Sequence, residues 1–551
     1  MKRHVRLLAL LLALIMCSAF LAACGDDEGD ETTTAPTTTQ DPAVTTKPTT
    51  TAPAITTAPQ QVYTQDWEEL NFEDTAVRIL YNDYVTTAMS DAGAGNSLLY
   101  LKGPDDYAGA SRGDYKAAYE RHRKVADALN LTLDENLTYR MANWDGNCDS
   151  IINDIRAFVD SNSDENPTVV IHQNYGMVRA GILGFFFNAL DDEEENHFNL
   201  DHKNWYRDMM LENTIDPTEI YMLMGDYTID QLRFSFGVLV NSGIANDALA
   251  IFDGMDYIYD LVDQNAWTYD AMMELASFAS NADSGVTGDD LVMGVISDSW
   301  VVRNFFAASG LDVFGRDPAG LPYYKSGEEI NPIHDWVDEL ITMDTQSYFS
   351  YNWQRDAAYN PSKTSPATTF VNGGSLFALS QMILTLEGEN VQDMDNPAGI
   401  LPNPLYVPDN GTTAGLKYQS LVSDNANAAG VLITSDAREF TAASAFLQMM
   451  TEESDNFYQM YFVEGLQRKN NSIGAEHAEM LQIIREGLCS PMSFLYDNYV
   501  AKDSGLETYG AIMYKSIDAG SNTFSSDWDH QLPTKVARLD TLKGNYGPAD
   551  N

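Results

Sequence analysis

The stretch "YKAAYERHRKVADALNLTL" (Tyr115–Leu133) decides the fold class, because it joins a helix directly to a strand. From Asp114 to Asn130, one face repeats at helical spacing and carries Tyr115, Ala118, Tyr119, His122, Val125, Ala126 and Leu129. Leu131–Leu133 continues as a short apolar strand. A helix that runs straight into a strand is typical of a parallel α/β sheet, in which helices connect neighbouring strands.

The same alternation extends to both sides of this stretch. "AVRILYN" (Ala76–Asn82) predicts a preceding strand, Asp149–Asp160 predicts the next helix, and "TVVIH" (Thr168–His172) predicts the strand after it. Further along the chain, strands are predicted at Phe236–Asn241, Met293–Ser297, Ser375–Ser380 and the start of Ala398–Asn410, and helices at Asn265–Ser280, Asp436–Met450, Ala475–Leu488 and Leu506–Asp518. The sequence therefore predicts an α/β protein with two regions of this kind.

The N-terminal segment predicts export and attachment to a lipid. Lys2, Arg3 and Arg6 precede an apolar run that is too short for a lasting membrane span, and "LAAC" ends it at Cys24. This pattern resembles a bacterial lipoprotein signal, which implies removal of residues 1–23 and acylation of Cys24. Two or more acyl chains would anchor the protein stably. An ordinary secretory peptide is the alternative.

Residues 24–65 are expected to form a disordered tether. Thirteen of the 26 residues from Thr32 to Thr57 are threonine, with prolines between them. Such a stretch has too little apolar surface to offset the entropy of folding. The whole chain carries a net charge of −49, which disfavours binding to nucleic acid and to anionic membrane surfaces.

Several segments, taken in order, resemble a known family. They are "YKAAYERHRKVADALNLTL" (115–133), "NWYRDMMLENTIDPTEIYMLMGDYTI" (204–229), "IYDLVDQNAWTYDAMMELA" (258–276), "GGSLFALSQMILTLEGENVQDMDNPAGILPNPLY" (373–406) and "YQSLVSDNANAAGVLI" (418–433). Together they resemble the extracellular solute-binding lipoproteins of bacterial ABC importers, in the Gram-positive lineage related to family 1 carbohydrate binders.

The resemblance implies a periplasmic-binding-protein-like type II fold, in which two α/β lobes close on a ligand. Lobe one would take residues 66–220 and 367–433, and lobe two residues 221–366 and 434–551. Tyr221–Asp226 would form the first hinge crossing. The partners implied are a carbohydrate ligand and, as separate chains, permease subunits and an ATPase; the protein itself is expected to be a monomer that touches the membrane only through its lipid.

Candidate ligand-binding residues lie where strands end at the expected cleft, because ligands bind at such strand ends in α/β folds. Trp300 and Trp353 could offer flat apolar faces to a sugar. The polar candidates are Asn82, Asp83, Gln173, Asn174, Asp226, Asp298 and Gln381. Trp205, Trp267 and Trp336 are expected in the core. Arg233 and Arg303 are expected to form ion pairs, although either could hold an anionic ligand.

We expect a binding protein rather than an enzyme. No nucleophile elbow, HExxH or P-loop occurs in the sequence, and its eight histidines are scattered, so neither a metal site nor a cofactor is expected. An oligosaccharide is the preferred ligand; a peptide or another small solute is the alternative, and a glycan-active surface enzyme is less favoured. Cys148 and Cys489 fall in different predicted lobes, so buried thiols are favoured over a disulfide.

Overall fold

The computed structural model describes residues 67–82, 113–134, 138–139, 148–191, 195–284, 286, 288–351, 366–408, 411–466, 475–501 and 505–546. All of these belong to one compact unit of the chain. The predicted signal peptide, Cys24 and the predicted tether lie outside the described residues. Two five-stranded sheets form the centre of the unit, and two pairs of short strands lie beside them.

The strands in chain order are β1 (Thr75–Asn82), β2 (Leu131–Asp134), β3 (Thr138–Tyr139), β4 (Val169–Gln173), β5 (Phe236–Asn241), β6 (Met293–Ile296), β7 (Phe314–Arg316), β8 (Pro322–Tyr324), β9 (Phe349–Ser350), β10 (Ser375–Met382), β11 (Ala398–Leu401), β12 (Ser420–Leu421), β13 (Asn427–Val431) and β14 (Leu488–Cys489). The α-helices are α1 (Gly113–Leu129), α2 (Asp149–Ser161), α3 (Asn174–Ile182), α4 (Arg207–Glu212), α5 (Asp230–Arg233), α6 (Ser242–Ala248), α7 (Met255–Asp263), α8 (Tyr269–Ala279), α9 (Val301–Ala308), α10 (Asn331–Asp344), α11 (Pro366–Val371), α12 (Glu389–Gln392), α13 (Ala437–Glu452), α14 (Asp455–Met460), α15 (Ala475–Glu486), α16 (Met492–Ala501), α17 (Tyr509–Asp518) and α18 (Phe524–Gly544).

The first sheet has the order β13-β4-β1-β2, with β3 also paired to β1. Strands β2, β3 and β4 run parallel to β1, whereas β13 runs antiparallel to β4. Helix α2 buries Ile151, Ile152 and Ile155 and packs against α3. The parallel α/β arrangement predicted around Tyr115–Leu133 is therefore confirmed.

The second sheet has the order β11-β5-β10-β6-β9. Strand β10 is parallel to β6 and antiparallel to β5, which makes this a mixed sheet. Helix α8 packs against β6. Thr268 caps its start, because the Thr268 side chain accepts a hydrogen bond from the backbone N–H of Ala271.

The strand pairing departs from the expected division of the chain between lobes. Residues 367–433 were expected in lobe one. Within this range, β13 does belong to the first sheet, but β10 and β11 belong to the second sheet. Residues 434–551 were expected in lobe two, yet α13 and α14 pack against α1 of the first region. A buried strand has the same apolar composition in either sheet, so composition does not specify its partner.

Buried residues confirm several expectations about the core. Trp267 and Trp336 are fully buried, and Trp205 is nearly so. Cys148 and Cys489 are buried free thiols, as favoured. Within the described residues, no helix combines the length and the apolarity that spanning a bilayer would need.

A fully buried ion pair joins the C-terminal helices. The Lys535 ammonium lies 2.6 Å from a carboxylate oxygen of Asp497, and neither side chain is exposed. The Tyr324 hydroxyl and the backbone N–H of Tyr509 also donate to this carboxylate, at 2.9 and 2.6 Å. The carboxylate therefore ties α16, α17, α18 and β8 together.

We predict that Asp497→Ala lowers the free energy of unfolding by about 3–5 kcal/mol, because it leaves the Lys535 charge buried without a partner. Urea unfolding at pH 7 measures this. Asp540→Ala is the control, because Asp540 is an exposed residue paired with Lys543 at 3.4 Å and should change the same quantity by less than about 1 kcal/mol. Equal losses in the two variants would contradict the prediction.

Candidate ligand-binding site between the two sheets

One short piece of backbone is bonded to both sheets. The backbone N–H of Ser423 donates to the carbonyl of Phe234, just before β5, at 2.9 Å. Three residues later, the carbonyl of Ala426 accepts from the backbone N–H of Asn174, just after β4, at 2.8 Å. We call Ser423–Asn427 the crossover segment. It lies where the strand ends of the first sheet meet the second region.

Amide side chains surround the crossover segment on the first-sheet side. The amide N–H of Gln173 donates to Asn425 Oδ1 at 2.9 Å, and that of Asn82 donates to Asn427 Oδ1 at 3.1 Å. Asn82 and Gln173 are the last residues of β1 and β4. The structure therefore brings these two predicted residues together at one edge of the sheet.

The same group of amides continues into the first crossing of the chain. Gln231 donates to the backbone carbonyl of Asn427 at 2.9 Å, and its amide faces that of Asn174 at 3.4 Å. Asn427 also donates to Asp230 at 2.7 Å. The amide cluster is therefore made up of Asn82, Gln173, Asn174, Gln231, Asn425 and Asn427. Its side chains are uncharged, and all but that of Asn425 are buried. They bond to one another and to nearby groups, so their contact with a ligand stays a prediction.

The second sheet contributes an aromatic and a cation to the same place. Trp300 follows β6 and is half-buried, with its ring stacked on Phe236 at 5.5 Å between centroids. The guanidinium carbon of Arg303 lies 5.2 Å from the centre of the Trp300 ring. Part of the Trp300 surface is thus used for packing, and the remainder is available for the platform role that the sequence suggests.

Two carboxyl groups accompany this aromatic. Burial raises the pKa of Asp298 to about 6, although its carboxylate accepts the backbone N–H of Trp300 at 2.8 Å. Burial also raises the pKa of Asp424, in the crossover segment, and the positive charge of Arg303 opposes this rise. Asp298 therefore lies beside Trp300, as predicted, and gains a proton in mildly acidic solution.

Gln381 lies at a β-bulge in strand β10 of the second sheet. The pairing of β10 with β5 shifts between Ala378 and Gln381, and Ser380 between them has a positive φ of 55°. The amide N–H of Gln381 donates to the carbonyl of Leu379 at 2.9 Å, and the side chain is buried. Its amide N–H thus supports the bulge, and its ligand contact stays a prediction.

The predicted ligand role of Asp226 needs correction. Its side chain is fully buried, and its carboxylate oxygens are bonded to Arg485 and to the Tyr206 hydroxyl. The Arg485 guanidinium also lies 4.0 Å from the centre of the Tyr458 ring. A carboxylate enclosed in this way stabilises the first crossing of the chain rather than facing a ligand. Asp83 and Trp353 lie outside the described residues.

Ion pairing is confirmed for Arg233, which contacts Glu387 at 2.7 Å with both side chains buried. It is not found for Arg303 among the described residues. Sequence reasoning also missed Asn425, Asn427 and Gln231 as members of the site. The polar run "SDNANAAG" before β13 was the available signal for Asn425 and Asn427. Gln231 had no comparable signal.

Two further features lie outside the junction. A cavity of about 470 Å³ is lined in part by Glu212, Lys417, Tyr418 and Glu486, and by none of the predicted site residues. Among the described residues there is no group of His, Cys, Asp and Glu side chains arranged to hold a metal ion. The candidate site is therefore the junction defined by the amide cluster, Trp300 and Arg303.

No protein-family model matches this sequence, and no curated protein matches it either. Solved structures do match. An uncharacterized protein of Listeria monocytogenes EGD-e aligns at 11% identity and a TM-score of 0.50, over 85% of this chain and 100% of its own. At that identity the match shows the fold alone. The chain shares its fold with that protein, and the two sheets with their helices confirm the α/β class expected from the sequence.

Two other structures align over similar lengths. A family 1 extracellular solute-binding protein from Bifidobacterium longum subsp. infantis has 13% identity and a TM-score of 0.45, over 85% of this chain and 99% of its own. An ABC substrate-binding protein of Listeria monocytogenes, solved in complex with cycloalternan, has 12% identity and a TM-score of 0.46, over 86% and 100%.

Asp298→Asn should alter the pH dependence of stability. Folding raises the pKa of Asp298 from 3.8 to about 6, so the folded protein holds a proton that the unfolded chain loses first. The free energy of unfolding of the wild type should therefore fall as pH rises from about 4 to 6. The variant should not show this decrease. At pH 7 the variant should be more stable by on the order of 2 kcal/mol.

Chemical unfolding of both proteins between pH 4 and 7 measures the difference. Asp290→Asn, at an exposed position, serves as the control and should follow the wild-type curve. Parallel curves for wild type and Asp298→Asn would show that Asp298 is not held in a desolvated position.

Proposed function

We propose that this chain is the extracellular substrate-binding lipoprotein of an ABC importer, and that it captures a carbohydrate, an oligosaccharide by preference, between its two lobes. The sequence resemblance and the two-lobed α/β fold support this assignment. The observation that carries it is that the crossover segment is bonded to the amide cluster through Asn425 and Asn427, and that its Asp424 faces Arg303, which lies over Trp300. We propose the lobe division expected from the sequence, with two changes: β10 and β11 go with the second sheet, and α13 and α14 go with α1.

The chemistry of the junction suits a neutral, hydroxyl-rich ligand. Amide side chains offer both donors and acceptors in one plane, which matches sugar hydroxyls that both give and accept hydrogen bonds. An aromatic face binds the apolar CH side of a sugar ring. We therefore assign ligand contacts to Asn82, Gln173 and Asn174 on one side and to Trp300 and Asp298 on the other. Asp83, Trp353 and Gln381 remain further predicted contacts.

Capture would proceed by closure of the lobes. A ligand that touches both lobes binds the closed arrangement more tightly, and it shifts the population toward closure by that difference in affinity. The crossover segment is the natural pivot, because it is bonded to Phe234 on one side and to Asn174 on the other. The closed protein would then deliver the ligand to permease subunits, powered by a separate ATPase.

Anchoring places this event at the outer face of the cell membrane. We propose acylation at Cys24 and a tether from residue 24 to 65, so that the folded part stays close to its transporter as a monomer. A peptide or other small solute is the alternative ligand. A glycan-active enzyme is the rival class, and product formation in the assay below separates it from a receptor.

Titration with plant and host glycan oligomers tests the ligand class. Saturable binding by tryptophan fluorescence or thermal shift, without product in the same mixture, is the expected result. Trp300→Ala should weaken binding by at least about tenfold, because it removes the aromatic face. It should also lower the melting temperature, since the ring packs on Phe236.

Tyr257→Ala is the matched control, because Tyr257 makes the same kind of stack with Phe252 at 5.3 Å. It should cost stability without changing affinity. Unchanged affinity in Trp300→Ala would remove Trp300 from the site, and turnover of any oligomer would favour the enzyme.

Cys24→Ser should abolish lipid attachment, because serine lacks the thiol that is acylated. In a Gram-positive host, labelled fatty acid should be incorporated into the wild type but not into the variant, which should move to the medium. Cys489→Ser is the control, since Cys489 is a buried free thiol. Retention of label by Cys24→Ser would contradict the lipoprotein assignment.

A further inference from the structure

Within the described residues, Arg303 lies at the junction without an ion pair. Most arginines in this part of the chain are bonded elsewhere: ion pairs are formed by Arg78, Arg123, Arg179, Arg207, Arg233, Arg438 and Arg485, and backbone carbonyls accept from Arg121, Arg316 and Arg538. Arg156, which lies outside the junction in α2, likewise forms no ion pair within the described residues. Within the same part of the chain, no ion pair within 4 Å is found for Arg303. This is notable in a protein with 81 acidic residues and 32 lysines and arginines.

The side chain of Arg303 is held in a defined position by Trp300 and by the glycine at position 510. Its guanidinium lies over the Trp300 ring at 5.2 Å, and its Nε lies 3.1 Å from the point that a Cβ at Gly510 would occupy. Because Gly510 has no side chain, the Arg303 side chain can pass close to the first turn of α17. The side chain is half-buried, so it is held in place while keeping contact with solvent.

The groups around Arg303 do not neutralise it at contact distance. Its charge acts on Asp424, Tyr509 and Tyr514, and the hydroxyls of the two tyrosines stay protonated at neutral pH because burial raises the pKa of each. Asp424 is the facing carboxyl in the crossover segment, and Asp298 lies on the far side of Trp300. None of these groups forms an ion pair with the guanidinium in the described structure.

Closure of the lobes would remove water from the Arg303 guanidinium while leaving it without an ion pair. Removing water from a charged group without giving it a partner is unfavourable by several kcal/mol. A guanidinium pairs best with a planar or tetrahedral oxyanion, which it can bind through two parallel hydrogen bonds. The ligand that satisfies Arg303 is thus one that brings an anionic group to the Trp300 side of the junction.

We propose that Arg303 selects an acidic saccharide, one that carries a carboxylate or a sulfate, over a neutral saccharide of the same length. This rests on the proposed function, and it narrows the oligosaccharide class to members that carry one anionic group in addition to their neutral hydroxyls. The amide cluster would hold the hydroxyls, and Arg303 would hold the single anionic group beside Trp300. Although the protein as a whole is strongly negative, the positive charge of Arg303 would let it bind the anionic group of the ligand at this position.

Binding of matched oligosaccharides tests this. An oligosaccharide with one uronate residue, its neutral methyl ester and an oligosaccharide of equal length with one sulfate group are titrated into the full chain at low and at high salt. We expect the acidic ligand to bind at least about tenfold more tightly than its ester at low salt, with the difference reduced by salt. The sulfated and uronate arms show which oxyanion the site accepts.

Arg303→Gln should abolish that preference, so that the acidic ligand and its neutral ester bind with equal affinity. Arg156→Gln is the matched control, because Arg156 lies over the Phe185 ring at 5.9 Å in α2, outside the junction. It should keep the preference, which separates a local contact from a change in overall charge.

The outcomes distinguish the two proposals. Equal binding of the acidic ligand and its ester overturns the inference and leaves carbohydrate capture standing. Binding of no saccharide in any arm overturns carbohydrate capture as well. A loss of melting temperature in Arg303→Gln with an unchanged preference assigns Arg303 to structure alone, and so also overturns the inference.

Discussion

The crossover segment, Ser423–Asn427, is the constraint on which the rest of the structure depends. Its backbone is bonded to Phe234 before one sheet and to Asn174 after a strand of the other. Because a buried backbone group must be paired, these bonds set where the strand ends of the two sheets can lie. The amide side chains of Asn425 and Asn427 then reach Gln173 and Asn82 without further adjustment.

Sequence periodicity was enough to predict local structure and one edge of the site. Short-range patterns predict the helix that begins at Asp114 and the strand that ends at Asn82. They also predict the strand Thr168–His172, which the structure extends by one residue to Gln173. These features depend on neighbours within a turn or a strand, which is the range that periodicity and capping rules describe.

Long-range pairing could not be predicted in the same way. Strand β10 pairs with β5 and β6 instead of the first sheet, since an apolar strand fits either sheet equally well. Asp226 looked like a hinge ligand, but its charge is matched by Arg485, 259 residues away in sequence. Gln231 joins the site only because the first crossing of the chain passes beside Asn427.

The distribution of charge separates the fixed parts of the molecule from the part that can rearrange. The buried pair Arg233–Glu387 holds α5 in place, and Asp226–Arg485 joins the first crossing to α15. Separating such a pair costs about 3–5 kcal/mol. At the crossover segment the contacts are mainly between neutral amides, each worth about 1 kcal/mol. A ligand can replace those amide contacts with its own hydroxyls at little net cost, whereas it could not replace an ion pair. The proposed site for capture therefore lies where the bonds between the two sheets are weakest individually and most easily exchanged.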